Sequence, residues 1–223
     1  MRALSLLQGV LGDGEVGAEA AEAYLNQGFL LAQRDSLDSA VNAYEHALAL
    51  DPSLTQARYS LAGLHLLLGH HGRSAREYET VLSGDADDGP YSRRARVRLR
   101  QIYPVLGDSL LAAGAFTEAR VVYERLDGLG AATAAHLTNL ALLLQRAGDP
   151  GSAIDAARRA LALEPGFAKA HFTLGGLLEA AGDRAEAAGA FEAFLAVWEG
   201  EEAVAAEARR RLEILRRGIN RSQ

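Results

Sequence analysis

Residues 134–167, AAHLTNLALLLQRAGDPGSAIDAARRALALEPGF, lie above residues 168–201, AKAHFTLGGLLEAAGDRAEAAGAFEAFLAVWEGE, without a gap, and both stretches are 34 residues long. Three more stretches, 21–54, 55–88 and 100–133, take the same register. A small residue recurs early in each copy (Gly28, Ala62, Gly107, Ala141, Gly175) and again later (Ala40, Ser74, Ala119, Ala153, Ala187). Four residues after the second small position stands an aromatic in four copies, Tyr44, Tyr78, Tyr123 and Phe191, with Ala157 the departure. Two antiparallel helices approach closely only where side chains are small, so these columns mark helix crossings. Bulky columns fill the space beside them: Leu31, Leu110, Leu144 and Leu178 in one, and Leu61, Leu106, Leu140 and Leu174, with Gln27 as the exception, in another. The aromatics are expected to plug the gaps between hairpins.

Turn chemistry agrees with this phase. Gly69, Gly114, Gly148 and Gly182 stand where the first helix of a copy should stop, and Asp35 takes that place in the first. Asp51-Pro52 and Glu164-Pro165 end second helices, because a residue before proline is pushed out of helical geometry. The period and columns resemble those of the tetratricopeptide repeat family. The resemblance implies an all-α fold, a right-handed α-solenoid of helix-turn-helix repeats, because one such hairpin cannot bury its apolar side alone and must stack on a neighbour. The expected organisation is an N-terminal segment at 1–20, five repeats over 21–201 with a basic helical insertion at 89–99, a capping helix at 202–217 and a tail at 218–223.

At 223 residues and 49% hydrophobic side chains, the chain has apolar surface enough for such a stack. No apolar run approaches the ~18 residues of a membrane span, and Met1 to Gly12 is too weak for a secretory signal. A cytoplasmic protein is the expectation. Without cysteine there is no disulfide or thiolate chemistry.

The net charge of -6 is unevenly placed: residues 1–88 carry -8, 89–100 carry +5, 101–201 carry -6 and 202–223 carry +3. The first basic island, Arg93, Arg94, Arg96, Arg98 and Arg100, coincides with the break in repeat register. Ala95, Leu99, Ile102 and Leu106 follow helical spacing there, which predicts an amphipathic helix with a kink or break near 101–104 at Pro104. Its arginines are either a solvated face neutralised by neighbouring acids or an anion-binding or acidic-partner site. Nucleic acid is not the expected partner, since the chain as a whole is acidic and only Tyr91 and Tyr103 interleave with the arginines. In the second island, Val204, Ala208, Leu212 and Leu215 form one apolar face, and Gly218 stands as the terminator. This helix reads as the cap over the last hairpin.

Candidate chemistry is sparse. Gly12-Asp13-Gly14-Glu15-Val16-Gly17 matches a dinucleotide-binding string, but no strand precedes it, so it reads as a flexible lead-in loop. His65, His70 and His71 have no carboxylate or thiol at ligand spacing, Asp85, Asp87 and Asp88 lack the later Glu of a calcium loop, and no nucleophile has a recognisable base. His65 and His171 occupy packing columns and read as satisfied core histidines. No enzyme activity, cofactor or metal is expected.

The resemblance implies a concave groove lined by the first helices. Its columns hold Leu25, Asn26 and Phe29; Tyr59, Ser60 and Gly63; Val105, Asp108 and Leu111; Thr138, Asn139 and Leu142; and Lys169, Phe172 and Thr173. The paired Lys, Asn and Arg with which chaperone-binding members hold a terminal carboxylate are absent except for Asn139 with Lys169. Leu25, Phe29, Tyr59, Leu142 and Phe172 are candidate anchors for a partner peptide or helix, with Asn26, Val105, Asn139 and Lys169 beside them. Alternatively, Met1 to Gly12 covers some of them, or a second copy of the chain does, making a self-associating scaffold.

Overall fold

The computed structural model describes residues 13–84 and 89–220, in which eleven helices and no strands occur. They are α1 (Asp13–Gln33), α2 (Leu37–Leu50), α3 (Thr55–Leu67), α4 (His71–Gly84), α5 (Pro90–Ala112), α6 (Phe116–Gly128), α7 (Ala134–Arg146), α8 (Pro150–Leu163), α9 (Ala168–Ala181), α10 (Arg184–Val197) and α11 (Glu202–Asn220). The chain is an all-α solenoid of helical repeats. It divides into two units, Met1–Val105 and Leu106–Gln223.

The turns inside the hairpins need one left-handed residue each. Gly69, Gly114, Gly148 and Gly182 supply it with φ of 74°, 74°, 82° and 91°, and Asp35, the only described non-glycine residue with positive φ, supplies it at 59°. Aspartate is among the few side chains that tolerate this conformation, which explains why the first copy does without glycine. At the start of α7, the Thr133 hydroxyl accepts from the His136 amide while the His136 ring accepts from the Thr133 amide. Asp149 caps α8 by accepting from the Ser152 amide, and Pro150 follows at the first helical position, where its missing N–H costs nothing.

The small and aromatic columns meet within the hairpins, and rings also reach between hairpins as expected: Tyr44 shares a core with Ala57, Leu61 and Leu64 of α3, and Tyr123 stacks on His136 of α7 at 5.8 Å. Tyr44, Tyr123 and Phe191 each lie over the small residue of their own hairpin as well. A Cβ on Gly28 would stand 2.8 Å from the Tyr44 ring, one on Gly107 2.8 Å from Tyr123, and one on Gly175 3.0 Å from Phe191. The ring therefore occupies the space that the first helix leaves by having no side chain. In the hairpin of α7 and α8 both partners are alanine, and Ala141 and Ala157 are fully buried. Where serine replaces alanine in the second small column, the buried Ser74 hydroxyl donates to the Ala62 carbonyl at 2.8 Å.

In the first unit α1 packs on α2, α2 on α3 and α3 on α4, around Ala40, Tyr44, Ala47, Ala57, Leu61 and Leu64. In the second, α6 packs on α7, α7 on α8, α9 on α7, α8 and α10, and α10 on α11. The contact of α9 with both α7 and α8 is what stacking of successive hairpins requires.

Three sequence expectations change. Helix α5 runs unbroken through Pro104, because Ala95, Leu99, Ile102 and Tyr103 are all buried and anchor the turns before the proline, and Tyr103 donates to Glu79 at 2.8 Å. The division between the units nevertheless falls inside this helix. Asp13 to Gly17, read as a loop, are the first residues of α1, while Gly12 lies outside the described residues. Helix α11 continues past Gly218 to Asn220. Its Ala205, Ala208, Leu212 and Leu215 are buried. The Met1 to Gly12 segment and Asp85, Asp87 and Asp88 also lie outside the described residues.

Candidate functional site

The first-helix columns divide into residues the packing consumes and residues it leaves in solvent. On α1, Leu25 is half-buried against the core around Ala40 and Tyr44, whereas Asn26 is exposed and Phe29 and Leu30 are each 54% exposed. On α3, Tyr59 is half-buried, edge-on to Tyr78 at 5.2 Å and tilted against Tyr91 at 5.4 Å. Ser60 and Gly63 are half-buried beside it.

The five arginines of α5 do not share a face. Arg93, Arg94 and Arg98 line a recess with Val97 and Tyr59. At 100° per residue Arg94 and Arg98 share one side of the helix, while Arg93 is in phase with Arg96 and Arg100 and reaches the recess from its other edge. A second recess of about 310 Å³ begins at Arg98 and continues over Gly63 toward Leu64, Leu67, Tyr44 and Tyr78. Burial pushes the Tyr78 phenol up to about 12, Tyr59 adds to this, and the Arg98 charge acts against it. The Tyr44 phenol is raised by burial and partly relieved by the Ser60 side chain. Both phenols are neutral donors at physiological pH.

Val105, at the end of the first unit, is 51% exposed. In the second unit a polar chain runs across the first helices. Lys169 donates to Asn139 at 3.0 Å, Asn139 bonds the Tyr123 hydroxyl, and that hydroxyl donates to Asp108 at 2.5 Å. Burial and then the Asp108 carboxylate push the Tyr123 phenol up to about 12. Leu111 is half-buried and Leu142 is 41% exposed.

Two residues read as groove-facing turn inward. Thr138 is fully buried, its hydroxyl donating to the Ala134 carbonyl at 2.7 Å, and Thr173 is buried as well. Phe172 is half-buried, edge-on to Phe191 and Phe194 at 5.6 and 5.2 Å. The guanidinium of Arg211 on α11 lies 5.8 Å from its ring and 4.8 Å from that of Phe191, and its Nε donates to Glu179 at 2.7 Å. Helix α11 thus covers part of the last first-helix face.

The histidines also differ from expectation. His171 is satisfied, with Nε2 2.8 Å from the Pro165 carbonyl. His65 is buried as its column demands, but its Nδ1 has no hydrogen-bond partner. Burial first, and then the Arg73 charge, hold its pKa below the usual histidine range. Among the described residues no group of three acidic or histidine side chains could hold a metal ion, and no helix is long and apolar enough to cross a membrane.

Tetratricopeptide repeat profiles match residues 21–54 and residues 138–201. The chain belongs to the tetratricopeptide repeat family. Similar solved structures include MamA, 21% identical with a TM-score of 0.43, covering 80% of this chain and 92% of that one. YrrB, described as a TPR protein with an unusual peptide-binding site, is 18% identical with a TM-score of 0.47, covering 84% of this chain and 90% of that one. The first TPR of Spaghetti (RPAP3), bound to the HSP90 peptide SRMEEVD, is 20% identical with a TM-score of 0.49, covering 55% of this chain and 94% of that one. No curated protein matches the chain.

Helices α7 and α9, which carry Thr138 and Thr173, touch each other in the tetratricopeptide stack, and both threonines are buried. The role of Arg211 was missed in the sequence because arginine beside an apolar face reads as solvated. Its signal was the position next to Leu212, in a helix that must lie against the last hairpin.

Proposed function

We propose that this tetratricopeptide protein is a non-enzymatic interaction scaffold that binds a partner peptide or helix on the faces of its first helices. The observation that carries the reading is the apolar side chains left in solvent there after the hairpins have packed: Phe29 and Leu30 on α1, Val105 on α5 and Leu142 on α7. Each large apolar side chain that leaves water on binding contributes on the order of 1.5–3 kcal/mol before ordering costs, so two or three together hold a segment. Asn26 and the Lys169–Asn139 pair stand beside them as polar contacts that fix orientation. Leu25, Tyr59 and Phe172 contribute their exposed edges only.

Affinity capture with the whole chain, followed by reconstitution with the purified partner, tests this reading. Phe29→Ala and Leu142→Ala should each weaken the partner by roughly tenfold without lowering thermal stability, since both side chains are largely outside the core. A partner that binds both variants as tightly as the parent contradicts the assignment. Sedimentation of the chain alone separates the alternative in which a second copy takes the same faces.

A further inference from the structure

We propose that the paired recesses of the first unit form a subsite for an acidic segment, seating carboxylates on Arg93, Arg94 and Arg98 and a bulky apolar side chain over Gly63. This rests on the peptide-binding reading above and names the chemistry of the peptide. Three observations carry it. Among the described residues the outer recess is lined by three guanidiniums, Tyr59 and Val97 and by no carboxylate, in a chain whose net charge is -6. Among the described residues, no ion pair engages Arg93 or Arg94, and Arg98 makes only a long 3.5 Å contact with Gln101. Several of the protein's other arginines are paired, among them Arg58 with Glu77, Arg158 with Glu186, Arg159 with Asp127 and Arg211 with Glu179.

Arg98 borders both recesses, so a charged group held there brings the neighbouring residue of its own chain over the apolar one. That second recess, at about 310 Å³, accepts one leucine- or phenylalanine-sized side chain. It is open because residue 63 is glycine. A Cβ there would meet nothing closer than the Tyr78 hydroxyl at 3.6 Å, so the position has room for a side chain that the native sequence leaves out. Guanidinium groups hold carboxylates by paired N–H donors, and Tyr59 and Val97 give the outer recess an apolar floor beside them.

The test uses the whole chain and labelled peptides of about twelve residues, each made with a free and with an amidated C-terminus. One alternates Glu or Asp with Leu, a second has Lys for each acid, and a third has Ser for each Leu. The first should bind at least about tenfold tighter than either of the others and should weaken several-fold as salt rises from about 0.05 to 0.3 M. Arg94→Gln with Arg98→Gln should weaken it by about tenfold or more, and Arg76→Gln on α4 should not. Gly63→Leu should also weaken it by about tenfold while leaving the melting temperature equal or higher, because leucine is the better helix former. Retained affinity with a free or an amidated C-terminus assigns side-chain carboxylates. Loss on amidation assigns the terminal carboxylate, at the same arginines. Equal binding of the acidic and lysine peptides overturns the proposal, as does tighter binding of a single-stranded oligonucleotide of equal charge. A Leu-rich neutral peptide that binds in spite of the two arginine substitutions, and is lost with Phe29→Ala, overturns it while leaving the scaffold reading intact. If no peptide binds at all, the subsite is refuted, and the Leu142→Ala result on the captured partner decides the scaffold separately.

Discussion

Replacing His65 by leucine should stabilise the protein. The same column holds Leu31, Leu110, Leu144 and Leu178 in the other copies, so the site is built to accept leucine. In this copy it encloses an imidazole, 5% exposed, whose Nδ1 has lost water and found no partner. An unsatisfied buried polar group costs ~1–3 kcal/mol, and leucine removes that cost while keeping similar volume. Allowing for imperfect repacking, we expect a gain of ~1–2 kcal/mol, which for a chain of this size is a rise of about 2–8 °C in melting temperature. Protonation adds a second signature. The charged groups facing the ring are Arg73, Glu77, His70 and Glu45, and the sum of burial and charge lowers its pKa in the folded state. The unfolded chain therefore takes up a proton at higher pH than the folded one, and the folded state loses stability as pH falls below about 6.5, until the lowered folded pKa is passed. Thermal unfolding followed by circular dichroism between about pH 5 and 8 should show His65→Leu gaining most over the parent at the acid end. A variant that melts below the parent, or whose advantage is the same at every pH, would refute both the orphaned nitrogen and its depressed pKa.

Other expectations concern packing. Gly107→Ala should destabilise by up to ~2 kcal/mol, because the clash at 2.8 Å with a buried Tyr123 outweighs the ~1 kcal/mol helix-propensity gain, whereas Gly189→Ala, with nothing within 4 Å, should show that gain alone in a denaturant titration. Ala153→Leu should cost ~1–3 kcal/mol at a fully buried crossing, and Arg158→Leu, whose pair with Glu186 is exposed, should cost well under ~1 kcal/mol. Truncation after Glu201 should bare the surface now covered by Ala205, Ala208, Leu212 and Leu215, and light scattering should record lower solubility together with earlier melting.

The sequence made the crossings legible because close approach tolerates so few residue types: Gly28, Gly107 and Gly175 can be nothing larger beneath their rings. The turns were legible for the same reason, left-handed φ being open to glycine and, at Asp35, to aspartate. What each ring packs against was harder, since Tyr44 and Tyr123 lie over the glycine of their own hairpin and also meet Ser60 and His136 of the next. The groove columns were read by offset alone. That identifies Phe29 and Leu142 as exposed but cannot tell Thr138 or Thr173, one residue out of phase, from a true surface position. Helical phase, with Ala95, Leu99 and Ile102 as the buried stripe, sets Arg94 and Arg98 on one side of α5 and Arg93, Arg96 and Arg100 on the other, but it does not show that Arg93 lines the same recess as Arg94 and Arg98. Phe172 could not have been, because its cover comes from Arg211 on another helix.

Photo-crosslinking with p-benzoylphenylalanine tests the central claim most directly, placed at Phe29 and Leu142 on first helices and at Leu50 and Leu163 on second helices. All four positions are exposed to a comparable degree, at 54, 41, 45 and 61%. Exposure alone therefore predicts similar yields, whereas binding on the first-helix faces predicts partner adducts concentrated at Phe29 and Leu142 by about tenfold or more. Adducts of equal yield at all four, or richer at Leu50 and Leu163, would contradict it.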